Sequence, residues 1–167
     1  MLVLGIDPGS TAMGISAVRR RAGRLELVYT VTVRTQSKTP MPQRLLALHR
    51  GLEDALMEVK PDEAAIEAIF KHKSAESALR LGQARGIAVL AVAQAGLPLG
   101  EYNAMTVKKS VAGHGRAGKG EVQRIVQRLL GLAEPLPQDA SDAAAIAIAH
   151  LHHARFARQV ASLGRRP

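Results

Sequence analysis

The chain has no cysteine and no tryptophan, and only two phenylalanines and two tyrosines among 167 residues. Lack of cysteine excludes thiolate metal sites, a thiol nucleophile and a disulfide framework, and it suits a reducing compartment, so the cytoplasm is the expected location. Scarcity of aromatics excludes the stacking platforms with which sheet-based folds read single-stranded nucleic acid. Long apolar runs are missing as well. Charge, glycine or proline interrupts each of them before it reaches a membrane span, and the N-terminus carries no basic segment followed by an apolar one and a cleavage site. The expectation is a soluble, unexported protein with no membrane partner.

Acidic residues are the remaining shortage: 14 Asp and Glu stand against 23 Lys and Arg, a formal net charge of +9. Such an excess favours polyanionic partners, because neutralising phosphates releases the counterions condensed on nucleic acid. With so few aromatics, that binding would run mainly through phosphates and shape. A hydrophobic content of 47% in a chain of this length supports one domain with a real core, expected over residues 1–167 with residues 159–167 fraying.

The pattern along the chain gives an α/β reading. Leu2 to Ile6 is a near-continuous apolar strand and Ile15 to Val18 a second, with the turn DPGSTAMG between them, which implies a hairpin. Leu25 to Arg34, LELVYTVTVR, is alternating and rich in β-branched residues, so it extends the sheet as a third antiparallel strand. Arg44 to Val59 places Leu45, Leu48, Leu52, Ala55, Leu56 and Val59 at helical spacing, and Pro61 ends that helix. A short buried strand (Glu63 to Ile69), a helix (about Ser74 to Gln94) and a short strand (about Leu97 to Tyr102) follow. Gly113 to Gly120, GHGRAGKG, reads as a basic glycine-rich loop, Glu121 to Leu130 as a helix, and Ala140 to Arg158 as the closing helix. Three antiparallel strands followed by alternating helices and strands make a mixed five-stranded sheet flanked by helices on both faces. That order is compatible with the ribonuclease-H-like architecture, among others.

Four acids stand where burial is expected. Asp7 ends the first strand, Glu67 interrupts the apolar run from Ala64 to Ile69, and Asp139 and Asp142 lie one turn apart on one face at the head of the last helix. An ionised carboxylate is costly to bury unless paired, and the apolar runs around these acids hold no lysine or arginine. Each acid has a structural role open to it: an Asx-turn for Asp7, a helix cap and a dipole partner for Asp139 and Asp142, and a solvent-facing edge strand for Glu67. A shared divalent-cation site is the single cause that covers all four. Oxygen ligands select Mg²⁺ or Mn²⁺ over zinc, and two such ions about 3.5–4 Å apart stabilise both the attacking and the leaving oxygen of a phosphoryl displacement. A basic protein with an acidic metal pocket points to a nuclease that needs no side-chain nucleophile.

Five separated segments then carry a resemblance: GIDPGS at the start, IEAIF at Ile66 to Phe70, SALRLGQARG at Ser77 to Gly86, VKKSVAGHG at Val107 to Gly115, and DASDAAAIAIAH at Asp139 to His150. In this order, from about Leu2 to His153, the chain resembles the RuvC family of bacterial Holliday junction resolvases. The resemblance implies a ribonuclease-H-like fold, a homodimer, and Mg²⁺-dependent nicking of two opposed strands of a four-way DNA junction in recombination and repair. It also implies partnership with the branch-migration proteins RuvA and RuvB. The family's catalytic and metal-binding acids match Asp7, Glu67, Asp139 and Asp142. Phe70 matches an aromatic that stacks on an unpaired base near the crossover, and Lys108 and Lys119 match lysines near the scissile phosphate. Lys71, Lys73, Lys109 and Arg116 share those loops and are candidate DNA contacts. The helix SALRLGQARGIAVLAVA is the stretch the resemblance places at the dimer interface. Gly118 and Gly120 flank Lys119, a departure from the family pattern that implies a more flexible loop.

Other readings fall short. Gly9 to Gly14 is followed by Ile15 and Ser16, so the Lys of a Walker loop is missing, and the actin-like ATPases that share the DPG turn need two such domains. A basic coat protein explains the charge but leaves Glu67 and the Asp139, Asp142 pair without a role. His150, His152 and His153, on an alanine-rich helix near the C-terminus, are expected to be solvated.

Overall fold

A computed structural model describes the backbone of residues 1–68 and 74–163, and side chains up to residue 154 outside the 69–73 segment. The strands are β1 (Leu2–Asp7), β2 (Ala12–Arg21), β3 (Arg24–Arg34), β4 (Glu63–Glu67) and β5 (Leu99–Tyr102). The helices are α1 (Met41–Val59), α2 (Ala75–Gln94), α3 (Ala104–Ala112), α4 (Lys119–Leu130) and α5 (Gln138–Leu163). One five-stranded sheet runs in the order β3-β2-β1-β4-β5. β1, β2 and β3 pair antiparallel, whereas β4 and β5 run parallel to β1, so the mixed sheet expected from the sequence is present.

β1 is buried through its middle, yet it alternates. Leu4 and Ile6 join Met13, Ile15 and Ile66 under α1 and α2, while Val3 faces α3, α4 and α5 together with Val18 and Ala65. On that second face the small residues of α5 let it sit directly on the sheet. A Cβ at Gly5 would lie 2.0 Å from the carbonyl oxygen of Ala143, and one at Gly14 would lie 2.0 Å from that of Asp139. The two glycines therefore seat the acid-bearing end of α5 against β1 and β2. Ser16 locks the same contact: its hydroxyl donates to the carbonyl of Ala140 at 2.8 Å and lies 2.9 Å from the Thr30 hydroxyl. Ser16→Ala should cost about 1–2 kcal/mol, read as a lower midpoint in urea denaturation.

Several boundaries differ from the sequence reading. α5 starts at Gln138 and continues to Leu163, past the expected end at Arg158. α3 falls in a stretch to which the sequence pattern assigned no element, between the strand expected to end at Tyr102 and the glycine-rich loop from Gly113, and it is bounded by an Asn103 side chain accepting from the Thr106 amide and by left-handed Gly113. The glycine-rich loop is shorter than expected, because α4 begins at Lys119 and Ala117 is fully buried.

Candidate active site

Sheet topology brings three of the acids together. β1 and β4 are parallel neighbours, so Asp7 and Glu67, each the last residue of its strand, emerge at the same end of the sheet. α5 crosses that end and adds Asp142 from its first turns. Asp7, Glu67 and Asp142 line one cleft of about 200 Å³ with Lys108 of α3 and Lys119 of α4. Its floor is apolar, formed in part by Val107, Val122 and Ile146.

Asp7 is held at the start of a braced turn. Buried Arg44, 5% exposed, donates from Nε to the carbonyl of Ser10 at 2.9 Å, and the Thr35 hydroxyl donates to the same oxygen at 3.1 Å. The turn is thus fixed from outside by α1 and by the residue that follows β3. Among the described residues the Asp7 carboxylate accepts no hydrogen bond from this turn, so the Asx-turn role is not the one it fills. Its environment opposes ionisation. Burial, followed by the negative charges of Asp142, Glu67 and Asp139, pushes the carboxyl up to about 7 from its ordinary 3.8, against a weaker opposing pull from Lys119.

The other acids are partly answered by local partners. Asp142 accepts from the Gln138 amide at 2.9 Å and lies 3.6 Å from the Lys119 ammonium. Asp139 sits in the first turn of α5, does not line the cleft, and is paired with Arg34 at 3.3 Å. Glu67 lies on an interior strand between β1 and β5, which excludes the edge-strand role. Among the described residues, no three acids or histidines converge closely enough to hold a cation as they stand. Arg34 engages Asp139 outside the cleft lining, and within the cleft Lys119 stands at ion-pair distance from Asp142. The donor chemistry nonetheless fits a hard divalent cation: the side chains of the cleft that can ligate one are the carboxylates of Asp7, Glu67 and Asp142, and the crowded Asp7 carboxyl gains from an added positive charge.

The remaining expected residues divide. Lys108 and Lys119 line the cleft; Lys109 and Arg116 are exposed and lie outside its lining. Phe70, Lys71 and Lys73 fall outside the described residues. Arg34, Arg44 and Gln138 went unnoticed in the sequence because each acts through a long-range or backbone contact, although Gln138 stands four residues before Asp142, a spacing that pairs side chains on a helix. The histidine expectation needs correction. His150 is buried, with Nε2 2.6 Å from the Glu63 carboxylate and Nδ1 3.0 Å from the Tyr102 hydroxyl. His152 lies 3.1 Å from the Ser110 carbonyl, and only His153 is exposed. The alanine-rich helix is core, so its inward histidine is core as well.

This sheet order, with carboxylates at the ends of the first and fourth strands and on a helix laid across them, defines a ribonuclease-H-like protein with an acidic cleft. Comparison with known proteins agrees: the profile of the family described as "Crossover junction endodeoxyribonuclease RuvC" matches residues 3–150. A relative of that name from Desulfitobacterium hafniense is 46% identical over 153 residues, covering 91% of this chain and 93% of its own. Another from Chloroflexus aggregans is 48% identical over 155 residues, covering 92% and 94%. The solved structure of Thermus thermophilus RuvC in complex with Holliday junction substrate superposes with a TM-score of 0.88 at 36% identity, covering 94% of this chain and 96% of that one. The chain belongs to the RuvC family of crossover junction endodeoxyribonucleases. That membership implies use of a divalent metal. Among the described residues, no helix is long and apolar enough to cross a membrane.

Proposed function

We propose that the chain resolves four-way DNA junctions by hydrolysing one phosphodiester in each of two opposed strands, as a step of recombination and repair. The observation that carries this reading is the acidic cleft itself, in which Asp7 is crowded by three further carboxylates within a strongly basic protein. Asp7, Glu67 and Asp142 would hold the metal, with Asp139 as the fourth ligand once its pairing with Arg34 is exchanged. Two Mg²⁺ ions, or Mn²⁺ in their place, would offset the carboxylate charge and supply Lewis-acid polarisation at the phosphate.

The chain's own residues do the rest. Lys108 and Lys119 bring positive charge to the cleft wall, where a phosphate must approach Asp7, Glu67 and Asp142. Phe70 and Lys73 are proposed DNA contacts on the family resemblance, and Lys109 and Arg116 as outer phosphate contacts on their exposure beside the cleft loops. A homodimer suits the near-twofold symmetry of a junction, and the exposed Leu79 and Leu90 on α2 give it an apolar face to bury. RuvA and RuvB as partners, and a cytoplasmic, nucleoid-associated location, rest on family membership.

The test is a side-by-side digestion of a synthetic four-way junction and plain duplex in Mg²⁺. Selective nicking of the junction is expected. Equal cutting of both would make it a nuclease of another substrate, and binding without nicks would make it a coat protein.

A further inference from the structure

Helix α2 does more than cover the sheet. One residue past fully buried Ala84, Arg85 reaches the open end of β4, where its Nε donates to the main-chain carbonyl of Glu67 at 3.3 Å. The same guanidinium is paired through Nη2 with the carboxylate of Glu101. Glu101 lies on β5 opposite Ile66 in the parallel register, so the arginine ties together positions adjacent across two strands. From β5, the carbonyl of Tyr102 accepts from the amide of Ala68 at 2.8 Å. Glu67 is the last residue of β4, and the pairing of β4 with β1 stops one residue earlier, at Ile66. At such a strand end the ladder no longer fixes the backbone from both sides, and the direction of the side chain depends on what grips its peptide groups.

We propose that Arg85, anchored by Glu101, is a positioning residue that clamps the main chain at Glu67 and so aims the Glu67 carboxylate into the acidic cleft. This rests on the reading of that cleft as a divalent-metal site. Arg85 itself is not among the residues lining the cleft, so it acts through Glu67 alone. Its planar fork serves a carbonyl and a carboxylate at once, which the point charge of a lysine does not. Outer partners that orient a metal ligand typically matter by about 10–100-fold in metal affinity or activity. The Arg85 side chain is 21% exposed and that of Glu101 52% exposed, so replacing Glu101 removes the anchor without opening the core.

The experiment compares wild type, Arg85→Met, Arg85→Lys, Glu101→Gln and the Arg85→Met/Glu101→Gln double variant, each as the full chain. Mn²⁺ affinity of the DNA-free protein is followed by water-proton relaxation, and amide exchange at Ala68 is measured without metal. Arg85→Met should weaken Mn²⁺ binding by about tenfold or more and speed exchange at Ala68, while junction binding stays within about twofold of wild type. Glu101→Gln should produce the same defects in smaller degree, Arg85→Lys should rescue only part, and the double variant should be no worse than Arg85→Met. Unchanged Mn²⁺ affinity and unchanged Ala68 exchange in both Arg85→Met and Glu101→Gln would overturn the proposal. If Arg85→Met does not fold, Glu101→Gln decides it by the same two readouts. Failure of the wild type to bind Mn²⁺ or nick a junction would instead remove the metal-site reading on which it stands.

Discussion

Asp7→Asn should lower strand nicking by about a thousandfold while leaving four-way junction binding within about twofold, and it should also make the metal-free protein more stable. The two effects share one cause. Asp7 is crowded by Asp142, Glu67 and Asp139 and sheltered from water, so its carboxyl is pushed up to about 7. An acid whose folded pKa exceeds its unfolded one holds its proton longer in the native state, so native stability falls as pH rises from about 4 to 7 and levels off above. One pKa unit corresponds to about 1.4 kcal/mol, but Asp7 is only partly buried and solvent reaches the cleft rim at Lys119, so the ionisation cost is discounted to about 1–2 kcal/mol. Asparagine removes that cost and with it the negative charge a divalent cation needs. Melting at pH 8 without metal should therefore rise by about 3–6 °C, and the difference from wild type should shrink toward pH 4. Retained nicking, or a melting temperature below that of wild type, would contradict this assignment. A site that strains the fold in this way is the expected exchange of stability for activity.

Gly14→Ala should be among the most damaging single-methyl changes in the chain. Its Cβ would lie 2.0 Å from the carbonyl oxygen of Asp139 and 3.3 Å from the amide of Ala140, both backbone atoms of α5 that cannot swing aside. Either β2 or the first turn of α5 must move. Overpacking of this kind costs about 1–3 kcal/mol, and a melting temperature lower by about 3–10 °C follows. The site should suffer more than the fold, because the displaced turn carries Asp139 and leads into Asp142. Nicking measured well below the midpoint of melting should fall by about tenfold or more. Gly5→Ala provides the comparison. Its Cβ meets the carbonyl of Ala143 at 2.0 Å, farther along the helix, so it should lower stability similarly with a smaller effect on nicking. Equal activity loss in the two variants would show that the helix moves as one body.

What was legible in the sequence was whatever short-range pattern encodes. The DPG turn between two apolar runs, the alternating third strand and the apolar stripe of α1 all depend on neighbours a few residues apart, and all appear in the structure. α3 escaped because adjacent lysines in VKKSVA mask its apolar stripe, of which only Val107 and Val111 are buried. Its signals were nonetheless present, in an Asn103 that caps the helix and a Gly113 that ends it in the left-handed region. The acids were found because carboxylates in apolar runs demand an explanation, but their mutual arrangement was not. Asp139 turning to Arg34 joins residues 105 positions apart, and His150 reaching Glu63 joins residues 87 apart. No local spacing announces such pairings. The histidines of α5 misled for a related reason: on an alanine-rich helix near the C-terminus they read as solvated, whereas its small residues let that helix pack directly against Gly5 and Gly14.

Use of a divalent cation by this cleft to cut a four-way junction is tested by digesting a junction labelled in turn on each of its strands, in Mg²⁺ and in EDTA, with products resolved on a denaturing gel. Nicks on two opposed strands at matching positions are expected in Mg²⁺, and none in EDTA. Identical nicks in EDTA, or no nicks in Mg²⁺ from protein that binds the junction, would contradict that use of the cation.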